Sequence, residues 1–395
     1  MSTLTLQHLL DACSPGGASV LTSVTPLEPA AGPHASVAPA KFVSGSKSVF
    51  AYERRFWNGE AVTAVLIDSK QSQNNRLEAA VSAAIADEDP VLTRTPRIEL
   101  RFEDGQVYSD LDLPHRAFDG QIRAGTINGE TVTSVEEYRK LRDATVNHAR
   151  PLLERSPMTL LLGGWDASRK SHQGRYRSIL VGEIIVILAD QDGGAEANQS
   201  KRGGARIDPV GMRIDLEDKE RKAIAEAQKH ELSASTYKSA SGKNGKVSTL
   251  GLGGIPPSLE QLGGVTCQAI IRSHVLSFAA LRALRFDSPT PEGDVACRAL
   301  LAALALNGLA RSDAELLLRA NCDLVEAGPT VVNLDKRYGQ KESLEPLSID
   351  QAQELLSAAI DYAVRTANLN WDGFVLNVKG NPVILAAATD DAQDD

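Results

Sequence analysis

The link between two apolar segments near the middle of the chain concentrates side chains that bind polyanions. Residues 162–177 contain glycines, four cations against the single acid Asp166, and two aromatic rings. Arginine and lysine neutralise phosphates, and an exposed aromatic ring can stack on an unstacked base. The candidate nucleic-acid ligands here are Trp165, Arg169, Lys170, His172, Gln173, Arg175 and Arg177. The alternative is that Trp165 and Tyr176 anchor the core while the cations face water.

A second group of donors lies at a predicted strand-to-helix junction. Residues 61–67 have strand composition, and residues 74–86 carry apolar side chains at helical spacing. Free amides at a helix N-terminus bind anions, and the side chains between the two elements add donors. The candidate RNA ligands in this junction are Ser69, Gln71, Ser72, Asn74 and Arg76. A helix cap with polar surface side chains would have the same local sequence.

Two further basic segments, residues 237–247 and 272–285, contain no acid. The whole chain has a net charge of −9, which is unusual for a general nucleic-acid binder. Basic segments on an acidic chain therefore indicate local polyanion sites, although ordinary solvated charge is the alternative. From these two segments the candidate RNA ligands are Lys238, Lys243, Lys246, Arg272 and His274.

Sequence signals for catalysis, metal binding and membrane insertion are missing. The sequence has no phosphate-loop spacing, no GxSxG and no HExxH. The seven histidines never recur at i, i+3 or i, i+4, and the four cysteines form no CxxC pair. No apolar run reaches the roughly 18 residues of a membrane span. We therefore predict a cytoplasmic, non-catalytic protein with no cofactor, no metal and no membrane partner.

The elements that would position these segments mix strands and helices without regular βαβ alternation, so the predicted fold class is α+β. Residues 1–40, rich in Pro, Gly, Ala and Ser, are expected to be extended or loosely ordered. Residues 41–389 are predicted to form a single domain with large insertions. Within it, the Gly- and Ser-rich stretch 190–262 is expected to reach outward. Residues 390–395 form an acidic tail.

Local patterns also predict individual elements. Residues 98–102 and 107–111 flank a turn and are predicted to pair as a hairpin. A capping-box pattern at Ser134 predicts a helix to about His148, and residues 158–162 are predicted to be a strand. Ser348 is predicted to cap a helix ending near Arg365. Residues 374–378 and 383–387 are predicted to close the chain as a hairpin.

Five stretches of the sequence, taken in order, resemble a known family. They are IDSKQSQNNRLE at 67–78, GGWD to KSHQ at 163–173, GLGGIPPS at 251–258, GGVT at 263–266 and VLSFAALRALRF at 275–286. The family is the backbone subunit of type I-G (formerly I-U) CRISPR Cascade complexes, within the RAMP superfamily. Each stretch alone is unspecific, and the resemblance rests on all five occurring in order.

The resemblance implies a ferredoxin-like, RRM-type palm with inserted finger and thumb elements, for which residues 190–262 are the candidate. It also implies binding of a guide RNA (crRNA), with further copies of the subunit stacking along it beside other Cascade subunits. The guide would be presented for pairing with a target DNA strand. The aromatic signature of ordinary RRM sheets is absent, so stacking of bases on the sheet face is not implied.

Two alternatives stay open. One is a general single-stranded nucleic-acid-binding protein outside CRISPR systems. The other is a metal-dependent RNA-cleaving RAMP protein, since some RAMP relatives cut RNA with one acidic loop residue. The acids in the predicted insertion that suit this role are Asp190, Asp192 and Asp208.

Overall fold

The computed structural model describes residues 2–204, 214–243, 245–252 and 257–387. The chain divides into two compact units, the first formed by residues up to Asn198 and from Thr266 onward, the second by Gln199–Val265. The second unit falls almost entirely within the stretch 190–262. The predicted acidic tail at 390–395 and the candidate acid at position 208 lie outside the described residues.

The first unit is built on strands and helices that alternate irregularly along the chain. Its strands are β1 (Val20–Pro29), β2 (Lys41–Ser44), β3 (Lys47–Phe50), β4 (Tyr52–Trp57), β5 (Glu60–Asp68), β6 (Arg97–Arg101), β7 (Val107–Ser109), β8 (Thr126–Ile127), β9 (Glu130–Thr131), β10 (Gly164–Trp165), β11 (Arg175–Tyr176) and β12 (Leu180–Leu188) before the second unit. After it come β15 (Cys267–Ser277), β16 (Leu324–Glu326), β17 (Val331–Asp335), β18 (Lys341–Leu344) and β19 (Val375–Lys379). The second unit contains β13 (Gln199–Gly204) and β14 (Ser258–Val265), which pair antiparallel.

The helices of the first unit are α1 (Leu6–Cys13), α2 (Lys70–Ala86), α3 (Gly120–Arg123), α4 (Glu136–Asp143), α5 (Arg150–Leu153), α6 (Pro157–Leu162), α7 (Gly194–Ala197), α10 (Phe278–Arg282), α11 (Pro291–Ala314), α12 (Ile349–Ala367) and α13 (Pro382–Ala387). The second unit contains α8 (Asp218–Ala227) and α9 (Ala234–Ser241), which pack on each other.

The main sheet has the strand order β18-β17-β1-β15-β12-β5-β4, with β16 also paired to β1. Its neighbouring strands pair antiparallel. Buried and less buried side chains alternate along β1 and β15, as expected for strands with one face on a core. On that face Leu21, Leu180 and Leu276 share a core with α1, α2, α11 and α12. The fold is therefore α+β, and it is consistent with a ferredoxin-like palm.

Helix α11 is the centre of this core. Its side chains are buried from Ala296 to Leu309, and it packs against α1, α2 and α12. Among the described helices, α11 alone is long and apolar enough to cross a membrane. However, 83% of its most apolar 18-residue stretch is buried inside the protein. An apolar helix buried in this way is typical of the core of a soluble protein.

Residues 1–40, predicted to be extended or loosely ordered, contain a helix and an extended strand. Helix α1 and strand β1 form there, and β1 lies inside the main sheet between β15 and β17. Buried positions recur every second residue from Leu21 to Pro29. Some of these buried positions are occupied by serine, threonine and proline, so the sequence does not show the alternation of apolar and polar residues that identifies a strand.

Two other local predictions fail for identifiable reasons. Residues 158–162 belong to α6, a fully buried helix that begins with Pro157, a residue favoured in the first turn. The C-terminal hairpin does not form, because β19 pairs in parallel with the distant β6 and residues 382–387 are helical. The hairpin of β6 with β7 and the Ser348 cap of α12 are confirmed. Helix α4 is shorter than predicted and has no side-chain cap.

Candidate nucleic-acid interface

A groove of about 400 Å³ lies where the N-terminus of α2 meets the start of β12. It brings together residues from two sequence motifs that are far apart along the chain, with Gln71 and Asn74 on one side and Arg177 on the other. Lys70 and Arg116 also line it, and no carboxylate is among its described lining residues. The groove is therefore a basic and amide-rich surface suited to phosphate or sugar oxygens.

The N-terminus of α2 makes one end of this groove electrically positive. Ser69 is the N-cap and accepts a hydrogen bond from the Ser72 amide at 3.2 Å. The first turn contains no acid that would offset the partial positive charge of the helix N-terminus. Lys70 is exposed and its Nζ lies 4.0 Å from Glu183 Oε2. The end of the helix and this lysine together favour an anion.

Behind the groove, the carboxylate of Asp68 at the end of β5 is completely buried. Its Oδ1 accepts from Ser72 Oγ at 2.9 Å and from Arg319 Nη2 at 3.2 Å. Its Oδ2 accepts from Gln73 Nε2 at 2.6 Å and from Arg76 Nε at 3.0 Å. A buried charge needs such partners, so the donors of Ser72 and Arg76 are engaged inside the protein.

Two side chains, Asn74 and Arg116, hold the groove's walls together. Asn74 is buried, and its Nδ2 lies 3.4 Å from Ser178 Oγ across the groove. Arg116 Nη2 donates to Glu78 Oε2 at 2.8 Å, and its Nη1 donates to the Gly163 carbonyl at 2.9 Å. Burial raises the pKa of Glu78, and the Arg116 guanidinium opposes that shift. These contacts tie α2 to the central link.

The central link is a small hairpin in which β10 pairs with β11. Its base is fixed by Asp166, a buried carboxylate that binds the guanidinium of Arg142 from α4 at 2.7 and 2.9 Å. The Asp166 amide also donates to the Gly174 carbonyl at 2.9 Å. The bidentate ion pair fixes Asp166, and the hydrogen bond from its amide to Gly174 closes the loop of residues 167–173.

The two aromatic residues of the link have different environments. Tyr176 is buried and stacks on Phe118 with ring centroids 6.3 Å apart. Trp165 is 49% exposed, and the guanidinium of Arg175 lies 4.5 Å from the centre of its ring. Tyr176 is therefore a core anchor, whereas Trp165 presents ring surface on which a base can stack.

The cations of the link also fall into two groups. Arg169 donates to the Arg142 carbonyl at 2.7 Å and pairs with Asp143, and Gln173 donates to the Arg169 carbonyl at 2.7 Å. Lys170 and Arg177 are exposed and form no ion pair with another described residue. Members of the link line a second groove of about 620 Å³, namely Arg169, His172, Gln173 and Arg175.

Arg272 and His274 do not reach the surface, which contradicts their assignment as RNA ligands. Both lie on the core-facing side of β15 and are 2% and 5% exposed. His274 packs over Gly182, its cross-strand partner, where an added Cβ would lie 2.0 Å from the ring. Burial, with a smaller contribution from Arg272, lowers the pKa of His274 to about 3, so the imidazole is neutral. A glycine inside an apolar strand was the available signal for this close approach.

The three lysines Lys238, Lys243 and Lys246 lie in the second unit and are exposed. The unit has its own polar centre at the buried Arg221. Its Nη2 donates to Asp218 Oδ1 at 2.6 Å and to the Gly242 carbonyl at 2.9 Å. The lysine-bearing segment is thus attached to α8 through this guanidinium and through the hydroxyl of Tyr237, which donates to Glu226.

Two functional features were missed at the level of sequence. Lys70 lies in the stretch 67–78 but is not among the predicted RNA ligands, although a cation at the first position of a helix after a serine cap lies beside the free amides. The second is Asp68, the last residue of the apolar strand β5. Its buried carboxylate needs hydrogen-bond donors, and Gln73 and Arg76 in the next helix supply them.

Of the three acids that suit metal-dependent cleavage, Asp190 and Asp192 lie within the described residues. No group of three or more His, Cys, Asp or Glu suited to a metal occurs among them. Asp190 Oδ1 accepts hydrogen bonds from the amides of Asp192 at 3.0 Å and Gly193 at 2.8 Å. It therefore caps a local turn.

Comparison with known proteins gives one family. The profile described as CRISPR-associated protein GSU0053 matches residues 21–191, somewhat less than half of the chain. The matched stretch spans β1, the junction at α2, the central link and β12. A search of curated proteins finds no match. Residues 21–191 are therefore similar to a CRISPR-associated protein family.

Proposed function

We propose that this protein is the crRNA-binding backbone subunit of a CRISPR surveillance complex, and that it holds guide RNA without cutting it. The observation that carries the proposal is the groove at the N-terminus of α2. It joins one stretch of the family resemblance, residues 67–78, to the end of the basic link at Arg177. It is lined by Lys70, Gln71 and Arg177 and has no carboxylate among its described lining residues.

The groove would bind the guide through its backbone. The α2 amides, Lys70 and Arg177 would contact phosphates, while Gln71 and Asn75 supply donors to sugar or phosphate oxygens. Trp165, which is exposed on the central link, would stack on a guide base that is not stacked on its neighbours in the RNA. Contacts of this kind do not depend on sequence, as a subunit that accepts any guide requires.

The remaining parts of the proposal concern assembly. Further copies would stack along the crRNA with other Cascade subunits, and the exposed RNA bases would pair with a target DNA strand. The second unit, with Lys238, Lys243 and Lys246, would act as the thumb on the RNA. The acidic balance of the chain, −9 overall, would discourage association away from a polyanion.

The test of the groove is RNA affinity measured against salt for Lys70→Glu, Arg177→Glu and the double variant. Each lost phosphate contact should lower the salt slope by roughly 0.7, and the double variant should lose at least about tenfold in affinity. Lys140→Glu is the matched control, because Lys140 is an exposed lysine outside the groove, paired with Glu136. Unchanged slope and affinity in the double variant would remove the groove from the RNA-binding surface.

The test of the stacking role is the mass of complexes formed on RNAs of increasing length, followed by a gel of the same RNA after incubation with Mg²⁺ and Mn²⁺. Mass that rises in steps with intact RNA supports the proposal. A fixed one-to-one complex contradicts it, and metal-dependent cleavage lost in Asp190→Ala would favour the enzyme alternative. Sequencing of copurified RNA separates a guide-specific protein from a general single-strand binder.

A further inference from the structure

A cavity of about 400 Å³ lies between the main sheet and the C-terminal part of α11, and it shares no lining residue with the groove. Leu21 from β1, Val332 from β17 and Leu309 from α11 give it apolar walls. Its volume falls within the roughly 300–1,000 Å³ of ligand pockets. We call it the α11 cavity. Its walls suit apolar side chains that enter from outside.

The charged residues of the α11 cavity are one buried cation and three acids. Arg272 lines the cavity and forms ion pairs with two of its acids, with Nη1 3.4 Å from Asp313 Oδ1 and Nη2 3.5 Å from Glu326 Oε1. Its Nε and Nη1 donate no hydrogen bond within the described part of the chain. Leaving buried donors unused costs free energy, so they favour an incoming acceptor. The acids Asp313, Glu326 and Glu345 outnumber this cation. The cavity therefore suits an occupant with apolar and basic side chains and accessible carbonyl oxygens.

One exposed segment of this chain has that chemistry. Strands β2 and β3 pair with each other and with no other described strand, and together with their turn they form an arm, residues 41–50. The arm exposes Val43 by 83%, Phe42 by 38% and Val49 by 37%. It carries two lysines and no acid, and its turn offers serine hydroxyls and carbonyls. Exposed apolar side chains grouped in this way mark a contact surface.

We propose that the arm of one copy docks in the α11 cavity of the next copy along the RNA. This inference rests on the proposed stacking of identical subunits and names the surfaces that meet. Val43 and Phe42 contact the apolar walls, Lys47 lies by Glu326 and Glu345, and the turn carbonyls accept from Arg272. Arm and cavity are different surfaces, so the contact is head-to-tail, and it builds a filament provided that the rotation between copies does not close a ring.

The size of the arm sets the conditions under which the contact forms. A standard protein interface uses roughly 20–30 residues a side, which is more than the arm supplies. Copies held on adjacent stretches of RNA meet at a high effective concentration. The contact is therefore expected to appear as cooperativity on RNA.

The experiment compares affinity for an RNA that holds one copy with affinity for an RNA that holds two. Val43→Asp in the arm and Ala310→Trp in the cavity should each keep the one-copy affinity and lose cooperativity by at least tenfold. An equimolar mixture of the two variants should recover part of it, because one of their arrangements joins an intact arm to an intact cavity. Val107→Asp, at an exposed valine of β7, is the control and should behave as the wild type.

A charge exchange repeats the test with surface residues that leave the core unchanged. Lys47→Glu should weaken cooperativity, and Glu345→Lys in the same chain should restore it. Wild-type cooperativity in all folded variants overturns the inference, as does the failure of both the mixture and the charge exchange. If the wild type binds no RNA, the proposed function fails separately. A mixed disulfide between Val43→Cys and Ala310→Cys proteins, at a protein concentration of about 1 mM that matches the effective concentration on RNA, then tests the contact alone, and its absence overturns the inference.

Discussion

The two sides of the first turn of α2 use similar polar side chains in opposite ways. On one side Ser72, Gln73 and Arg76 surround the buried carboxylate of Asp68. On the other side Lys70 and Gln71 are exposed and line the groove. The first set uses its hydrogen bonds to hold β5 against α2. The second set faces the groove, where it can contact a ligand because the first set fixes the turn. Donors engaged within the fold position those that face a ligand.

The same contrast recurs in the central link and in β15. Arg169 is tied to α4 through Asp143 and a carbonyl, whereas its neighbour Lys170 is exposed. Arg272 and His274, basic residues by sequence, lie inside the core. We call polar side chains bound within the fold the engaged set and exposed ones that face a ligand the open set. Each of the following predictions changes a member of one set, and a result that contradicts it would show that the residue is assigned to the wrong set.

The largest effect is expected for Asp68→Ala. It leaves Arg76 and Arg319 without their shared carboxylate, and breaking a buried ion pair costs about 3–5 kcal/mol. The free energy of unfolding by urea measures the loss. Asp361→Ala is the control, because its pair with Arg94 is half-exposed and such pairs contribute about 0–1 kcal/mol. Equal losses in the two variants would mean that the Asp68 cluster does not organise the turn.

The second prediction concerns His274 and acid stability. The pKa of a histidine is 6.5 when unperturbed and about 3 in the fold, so between those values only the unfolded chain binds the proton. Stability is therefore lost as the pH falls below about 6.5. His274→Gln removes this contribution, and the difference in unfolding free energy between variant and wild type should shift by about 2 kcal/mol from pH 7 to pH 5. If the free energies of unfolding of variant and wild type changed with pH in parallel, His274 would be able to take up a proton in the folded protein and would belong to the open set.

How far these features could be predicted from the sequence depends on where their partners lie. The Ser348 cap, the β6–β7 hairpin and the donors around residue 70 depend on neighbours within a few positions, and local patterns identified them. The parallel pairing of β19 with β6 and the burial of His274 over Gly182 depend on partners far along the chain. No local pattern distinguishes Arg169 from Lys170, because the acid that engages Arg169 lies on α4.

The third prediction separates those two neighbours. Lys170→Ala should reduce the salt slope of RNA binding by roughly 0.7 with stability unchanged. Arg169→Ala should instead cost about 1 kcal/mol of stability, since it removes a partly buried ion pair and a hydrogen bond, with little change in slope. The pair of measurements is its own control. A slope change in both variants would place Arg169 on the RNA despite Asp143.

The last prediction concerns the second unit, where the effect on stability is expected to be the smallest. The lysines there are exposed, and their segment is attached to α8 through Arg221 and Tyr237. Lys243 and Lys246 are exposed beside Gly242 and Gly245, glycines that ease backbone rearrangement. If this segment closes on RNA as a thumb, tryptic cleavage around residues 239–248 should slow when RNA is bound, because basic segments often become ordered on binding. Lys243→Ala with Lys246→Ala should also lower the salt slope, by no more than about 1.4 for two contacts. Lys222, exposed on α8 and paired with Asp218, is the control position, and Lys222→Ala should leave the slope unchanged. Equal cleavage with and without RNA, together with an unchanged slope, would assign these lysines to ordinary solvated charge and leave the α2 groove and the central link as the RNA surface.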